Sequence, residues 1–375
     1  MRKTQVALAA LALVASTAAL ADGATLYGTL DASITKSTGA STAFTGQGQW
    51  TANVIGVRGS QSLDGGMKVT YNLEAGINSA NGSRDNGGPN GSNAMTGTDL
   101  GDVIGANGLF NRAANVGLVT AGGTITAGLQ VTPFIATATS NLGLVGNNFV
   151  VPYLVNAGAA DGGGTGASAT GGFFQPDAIS YSNSSGPLSF SVMTSTGDKA
   201  ATAMNRYSGA SVNYAISEDT NVYAAFANRT SAYANWVAGI KHKMGDLTLA
   251  AQYIHSGLKA NTNIDTFTAT GTANATQQNA SDGSTMVLSA AYALGGGNTV
   301  GVNYSTTEYS VAPNNGTTAP GNSAAARNIF NVSFAHSLSK STAIYAFLAS
   351  SDNSALSSYS STGKNAFGVG INTNF

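Results

Sequence analysis

From residue 24 onward, apolar and polar positions alternate along the chain with period two. Met67, Val69, Tyr71, Leu73, Ala75 and Ile77 fall on one side of a segment. Lys68, Thr70, Asn72, Glu74, Gly76 and Asn78 fall on the other. Successive side chains of a strand point to opposite faces, so this segment buries one face and wets the other; as a helix it would scatter both sets around its circumference. The pattern recurs. Leu26, Gly28, Leu30, Ala32 and Ile34 alternate with Thr25, Tyr27, Thr29, Asp31 and Ser33. Leu188, Phe190 and Val192 alternate with serines and Met193. Met286 to Leu294, Val300 to Ser305, Phe330 to Ala335 and Phe367 to Phe375 repeat it. Val222 to Arg229 and Ile344 to Ser350 depart from it, carrying apolar or aromatic residues on both faces.

The connections alternate in length. Tight turns are predicted at Leu63-Asp64-Gly65-Gly66, Ala121-Gly122-Gly123, 183–187, Ser217-Glu218-Asp219, Met244-Gly245-Asp246, 295–298 and 337–340, where Gly, Asp, Asn and Ser supply the needed backbone freedom. Between them lie longer stretches rich in Gly, Asn, Ser, Thr and Ala: 36–49, 79–110, 131–176, 198–205, 258–283, 311–327 and 351–363. Only the connection near Arg229 to Tyr233 is short. Strands placed between these points number about sixteen, an even count with short turns at one end and long loops at the other, as in bacterial outer-membrane barrels.

Composition sharpens this. Charged residues make up 9% of the chain, against about 25% in a soluble domain, so much of the surface faces something other than water. A mean hydropathy of +0.03 is too low for a bundle of membrane helices. No stretch approaches the ~18 continuous apolar residues of a spanning helix, so a membrane crossing must use strands. In hydrocarbon each unpaired backbone group costs several kcal/mol, so the sheet must close on itself. At about sixteen strands the bore is too wide for side chains to fill, and an aqueous channel results. The expected fold is therefore all-β, a transmembrane antiparallel β-barrel.

The N-terminus has its own signature. Arg2 and Lys3 precede ten apolar residues, Val6 to Ala15, and Ala19-Leu20-Ala21 offers a small-x-small cleavage pattern. This predicts a cleaved signal peptide over 1–21 and a single barrel domain over 22–375. Without Arg2 and Lys3 the chain keeps 14 basic residues of its 16, against 17 acidic, a net charge of −3. That balance offers nothing to draw nucleic acid. The absence of cysteine excludes thiol nucleophiles, disulfides and Cys-based zinc sites.

Several segments together resemble the trimeric general porins of the Gram-negative outer membrane, β-proteobacterial branch. They are Thr25-Leu26-Tyr27-Gly28-Thr29-Leu30-Asp31; Val54 to Ser60 with Leu63 to Lys68, running into Leu73-Glu74-Ala75-Gly76; Phe110-Asn111-Arg112-Ala113 with Val116-Gly117-Leu118; Gly123 to Gly128; and the terminal Phe375. The resemblance covers residues 24–375, with loops diverging. It implies a homotrimer in contact with outer-membrane lipid and lipopolysaccharide, and recognition of Phe375 by the barrel-assembly machinery. It implies that the third long loop, 131–176, folds into the lumen and narrows it. Arg58 and Arg112 then match basic positions of the family's wall.

Lining candidates are Arg58, Lys68, Glu74 and Arg112 on the wall, Asp161 in the loop, and Arg229, Lys241 and Lys243 beyond it. Two departures from the family stand out. Loop 131–176 has a single charge, Asp161, and is otherwise apolar and glycine-rich; Leu129 stands where relatives often carry Arg. The expected function is passive diffusion of small hydrophilic solutes with weak selectivity leaning towards anions, without enzyme activity or cofactor. The rivals are a barrel with a mainly structural or adhesive role and a secreted β-sandwich.

Other chemistry finds little support. His242, His255 and His336 have no metal-ligand spacing, and Gly162 to Gly166 lacks the Lys-Ser/Thr of a phosphate loop. The Asp/Asn/Gly-rich stretch Asp85 to Asn93 lacks the spacing and final Glu of a calcium loop. Aromatic residues near strand ends, namely Tyr27, Tyr71, Trp236, Tyr253, Tyr304 and Phe375, are expected to form interfacial girdles.

Overall fold

A computed structural model describes residues 23–39, 41–46, 48–83, 109–142, 144, 174–196, 206–229, 233–258, 280–311, 327–351 and 365–375. The signal peptide predicted over 1–21 lies outside them. The described strands are β1 (Thr25–Ser37), β2 (Ala43–Thr45), β3 (Val54–Ser62), β4 (Lys68–Gly76), β5 (Ala113–Thr120) and β6 (Gly123–Val131). After the helix α1 (Pro133–Leu142) come β7 (Phe174–Ser185), β8 (Leu188–Ser195), β9 (Tyr207–Ala215), β10 (Thr220–Arg229), β11 (Tyr233–Met244) and β12 (Leu247–Leu258). The chain ends with β13 (Ala280–Gly295), β14 (Asn298–Val311), β15 (Arg327–Ser337), β16 (Thr342–Ser351) and β17 (Asn365–Asn374).

All seventeen belong to one sheet. β2 is a three-residue strand that pairs only beside β1, within the first long connection. The other sixteen are the staves of a closed antiparallel barrel, because β1 pairs with β3 on one side and with β17 on the other. Phe375 completes the seam by exchanging backbone hydrogen bonds with Gly28 at 3.0 and 3.1 Å. No described helix is long and apolar enough to cross a membrane; the strands do so.

The register carries the predicted alternation through to burial. On β1 and β17, Leu30, Ala32 and Ile34 pair with Thr373, Ile371 and Val369. Asp31, Ser33 and Thr35 pair with Asn372, Gly370 and Gly368. The first face is exposed at Leu30, Ile34, Val369 and Ile371, whereas Asp31, Ser33 and Thr35 are buried. Around the barrel the exposed set includes Ile125, Val192, Trp236, Leu288, Phe330 and Leu348. A soluble monomer rarely displays so continuous an apolar surface; a membrane barrel needs one.

Each tight turn falls where the sequence places it. Between β11 and β12, for example, only Gly245 and Asp246 intervene, and Gly245 sits at φ 58°, a conformation that suits glycine in a two-residue hairpin. All the tight turns lie at one end of the barrel, with the long connections at the other.

The two segments that break the alternation have a common cause: their inward faces are covered. The inward Ala225 and Ala227 of β10 pack with Val237 of β11 and Ile254 of β12 against Phe134, Ile135 and Ala138 of α1, and the buried Tyr223 beside them bonds to Gln252 of β12. On β16, inward Tyr345 and Phe347 pack with Ala335 of β15 against Trp50 from the first long connection. The Trp50 and Tyr345 rings stand 5.1 Å apart. Tyr345 and Phe347 can lie flat on the wall because their neighbours on β17 are Gly370 and Gly368, where a Cβ would strike the rings.

Candidate functional site

The candidate site is the inner wall. Two of its sectors are built differently.

The first sector lies on β1, β3 and β4 and runs to the start of β5. Arg58 faces inward, as its register with Thr25 and Asn72 requires, and its guanidinium sits 4.8 Å from the ring centre of Tyr27. The Tyr27 hydroxyl reaches Asn72 Oδ1 and Glu74 Oε2, both at 2.8 Å. Glu74 accepts the Nε–H of Arg112 at 2.7 Å, in the only ion pair among the described residues. Arg112 also stacks 4.9 Å from the ring centre of Phe174, at the start of β7. Arg58, Tyr27, Glu74, Arg112 and Phe174 thus form one connected patch. Its geometry fixes long side chains that would otherwise sweep the lumen. Tyr27 corrects an expectation: it belongs to this patch and not to an outer girdle. Tyr71, Trp236, Tyr253, Tyr304 and Phe375 do face outward, and Trp236 stacks with Tyr253 at 5.3 Å.

Lys68 follows the same inward alternation beside the tight turn before β4. Lys241 and Lys243 share the inward face of β11 with Val237; Lys241 pairs in register with Asn221 and Ala250. Arg229 ends β10 opposite Tyr207 and Tyr233; its side chain is outside the described set. So is Asp161. Arg112 is neutralised by Glu74, so the wall's cationic character rests on Arg58, Lys68, Lys241 and Lys243.

The second sector is covered by α1, which contacts β8 to β12. Its anchors Phe134 and Ile135 are 1% and 2% exposed. Each such burial is worth roughly 1.5–3 kcal/mol relative to exposure in water. At its far end the Asn141 amide donates to Asn213 Oδ1 at 3.3 Å and accepts from Asn221 Nδ2 at 3.2 Å. Asn213 and Asn221 sit close to the tight turn joining β9 and β10, so the helix reaches well down the wall. The remainder of the predicted third loop, 145–173, lies outside the described residues.

A third feature went unrecognised in the sequence. Asp31 is wholly buried on the inner wall. Its carboxylate accepts the backbone N–H groups of Gln49, Trp50 and Thr51 at 3.3, 2.8 and 2.9 Å, and the Tyr345 hydroxyl at 2.5 Å. Asn53 ties the same segment down: its amide donates to the carbonyls of Asp31 and Gly46, at 2.9 and 2.6 Å. The available signal was Asp31 itself, a carboxylate set mid-strand among small polar residues. No metal-binding group of His, Asp or Glu occurs among the described residues. His242 and His336 lie near the tight turns, each bonded to one neighbour, Thr220 and Asn298.

Neutralising Glu74 gives a direct test of the first sector. Glu74→Gln removes one negative charge with little change of shape. A unit charge acting across ~8 Å of water is worth about 0.5 kcal/mol, with opposite sign for an anion and a cation, so the anion-to-cation permeability ratio is expected to rise by up to about sixfold at low salt. The change should shrink as salt is raised. Reversal potentials of the two proteins in the same salt gradient check this.

Residues 7–356 match the Gram-negative porin family. No curated protein sequence matches the chain. Among solved structures, the chain is similar to the anion-selective porin from Comamonas acidovorans, at 19% identity with a TM-score of 0.66, covering 94% of this chain and 99% of that one. It is similar to Salmonella typhi OmpF, solved in complex with daunomycin, at 17% identity and a TM-score of 0.62, covering 94% and 97%. It is also similar to OmpT of Vibrio cholerae in a trimer form, at 11% identity and a TM-score of 0.60, covering 94% and 99%. These structures share the fold, and the family match runs through almost all of the closed barrel: the chain belongs to the Gram-negative porins.

Proposed function

We propose that this porin passes small hydrophilic solutes with a weak preference for anions, sieved between α1 and the Arg58–Glu74–Arg112 patch. Its family and its fold make it a passive diffusion channel of the outer membrane. The observation that carries the preference is the surplus of inward cations: Arg58, Lys68, Lys241 and Lys243 have no carboxylate in ion-pair contact among the described residues. A ring of one sign in a wet bore concentrates counter-ions. The preference is weak because Glu74 cancels Arg112 and α1 brings no charge to the lumen. Solutes move down their gradients and no bond is made or broken, so no enzyme activity is assigned.

Three further assignments complete the reading. Residues 1–21 act as the export signal, Phe375 is the mark read by the assembly machinery, and the barrel works as a homotrimer in lipid and lipopolysaccharide. The trimer form of OmpT, which has the same fold, supports the assembly. Planar-bilayer recording in a KCl gradient tests the channel and its preference together. The expected result is a stable ohmic current whose reversal potential has the sign carried by chloride. A potential of the potassium sign would remove the preference, and a silent bilayer would favour the adhesive or structural alternative.

A further inference from the structure

We infer that the hollow between α1 and the inner wall of β6 to β9 is a binding subsite for neutral, polyhydroxylated solutes of about monosaccharide size. The inference deepens the channel reading above and rests on it. The cavity measures about 380 Å³, at the small end of the ~300–1,000 Å³ range of ligand sites. Thr137 and Ser140 of α1 face it from one side; Ser182, Ser189, Ser191 and Ser211 of the wall face it from the other. No charged side chain lines it.

That lining decides the ligand class. An anion would need a cation or a cluster of charged donors, and a cation would need a carboxylate; neither is present. Hydroxyls each donate one hydrogen bond and accept two, which is the inventory that matches the hydroxyls of a sugar or polyol. Part of the lining is engaged internally: Ser184 and Ser189 bond at 2.9 Å, and Asn141 links Asn213 to Asn221. Among the described residues, none takes up the side-chain hydroxyls of Ser182, Ser191 or Ser211. A wall that merely has to be wet needs no roof. Here the helix gives a solute a second hydrogen-bonding surface, apart from the sector that carries Arg58, Glu74 and Arg112. The hollow itself is a neutral lining for polyols, and the inward cations, Lys241 and Lys243 of β11 included, lie outside it.

The test uses the full-length channel in a planar bilayer, with salt current recorded before glucose is added. Glucose is expected to produce excess current noise that rises and saturates with its concentration. The S189A/S191A/S211A triple variant, which loses three hydroxyls, is expected to raise the half-saturating concentration by about tenfold or more. Ser191→Ala alone, which leaves most of the lining in place, should raise it about threefold. A channel that conducts salt but whose noise is indifferent to glucose overturns the subsite while leaving the channel intact. So does a triple variant that saturates as the unmodified protein does. Absence of any salt current overturns the channel reading and takes the subsite with it.

Discussion

Replacing Asp31 with alanine is expected to lower the stability of the barrel by about 3–5 kcal/mol, because it strips one shared charged acceptor from four buried or half-buried donors at once. The Asp31 carboxylate gathers three successive backbone N–H groups and the Tyr345 hydroxyl, at a position with no exposure to solvent. Hydrogen bonds to a charged group contribute about 1.5–3 kcal/mol each, and water entering from the lumen offsets part of their sum. The segment 48–53 would lose the carboxylate's part of its hold on β1 and keep the Asn53 bond to the backbone of residue 31, and Trp50 would be less firmly seated against Tyr345 and Phe347. Asp31→Asn should recover only a fraction, since an amide turns an N–H₂ towards groups that also donate. The temperature at which the folded band gives way to the unfolded one on SDS gels measures the effect. An unchanged transition in the alanine variant would show that the buried carboxylate is dispensable.

The second large effect is expected at a position with no side chain. A Cβ at Gly370 would strike the Tyr345 ring and lie 2.8 Å from the Ala32 carbonyl oxygen. The ring cannot yield without moving its hydroxyl away from Asp31. Gly370→Ala should therefore cost about 1–3 kcal/mol in overpacking, with a further 1.5–3 kcal/mol where the Tyr345–Asp31 bond is lost. The two substitutions act through the same bond, so the double variant should be less destabilised than the sum of the singles, by about 1–3 kcal/mol. The same gel transition, run on all four proteins of the cycle, reads this coupling. Strict additivity would show that Gly370 and Asp31 act on separate parts of the wall.

Much of the fold was legible in the sequence because one physical rule governs most of it. Met67 to Asn78 alternates because one side meets hydrocarbon and the other water, and β4 follows that register to the residue. The rule fails where a face meets protein. Val222 to Arg229 and Ile344 to Ser350 carry apolar residues inward because α1 and Trp50 cover them. The broken pattern was thus itself the sign of an inner lining. What lay on top could not be read from the strands. The helix does have a local signature, with Thr132 followed by Pro133 at its first position and Phe134, Ile135 and Ala138 on one face. Its ten residues are short enough to pass for loop in a glycine-rich stretch.

The site was legible in part. Arg58, Lys68, Lys241 and Lys243 face inward by counting alone. Their company could not be counted. Nothing in the spacing says that Glu74 meets Arg112, separated from it by a long connection, or that Tyr27 on another strand caps both Arg58 and Glu74. Such contacts are made between neighbouring strands at one level of the wall, and level is set by stagger, which a single sequence does not display.

The seam between β1 and β17 has a consequence for how the molecule is made. Every other neighbouring pair of staves joins consecutive stretches of chain, whereas this one brings Thr29 to Asn374, 345 positions away. Until the last stave arrives, the growing ribbon has two raw margins, each a row of unsatisfied amides that hydrocarbon will not tolerate. Zipping those margins together is a long-range event that slows folding more than any hairpin does. Sealing and entering the bilayer must therefore proceed as one concerted act, with the penultimate and final staves deciding when it can finish.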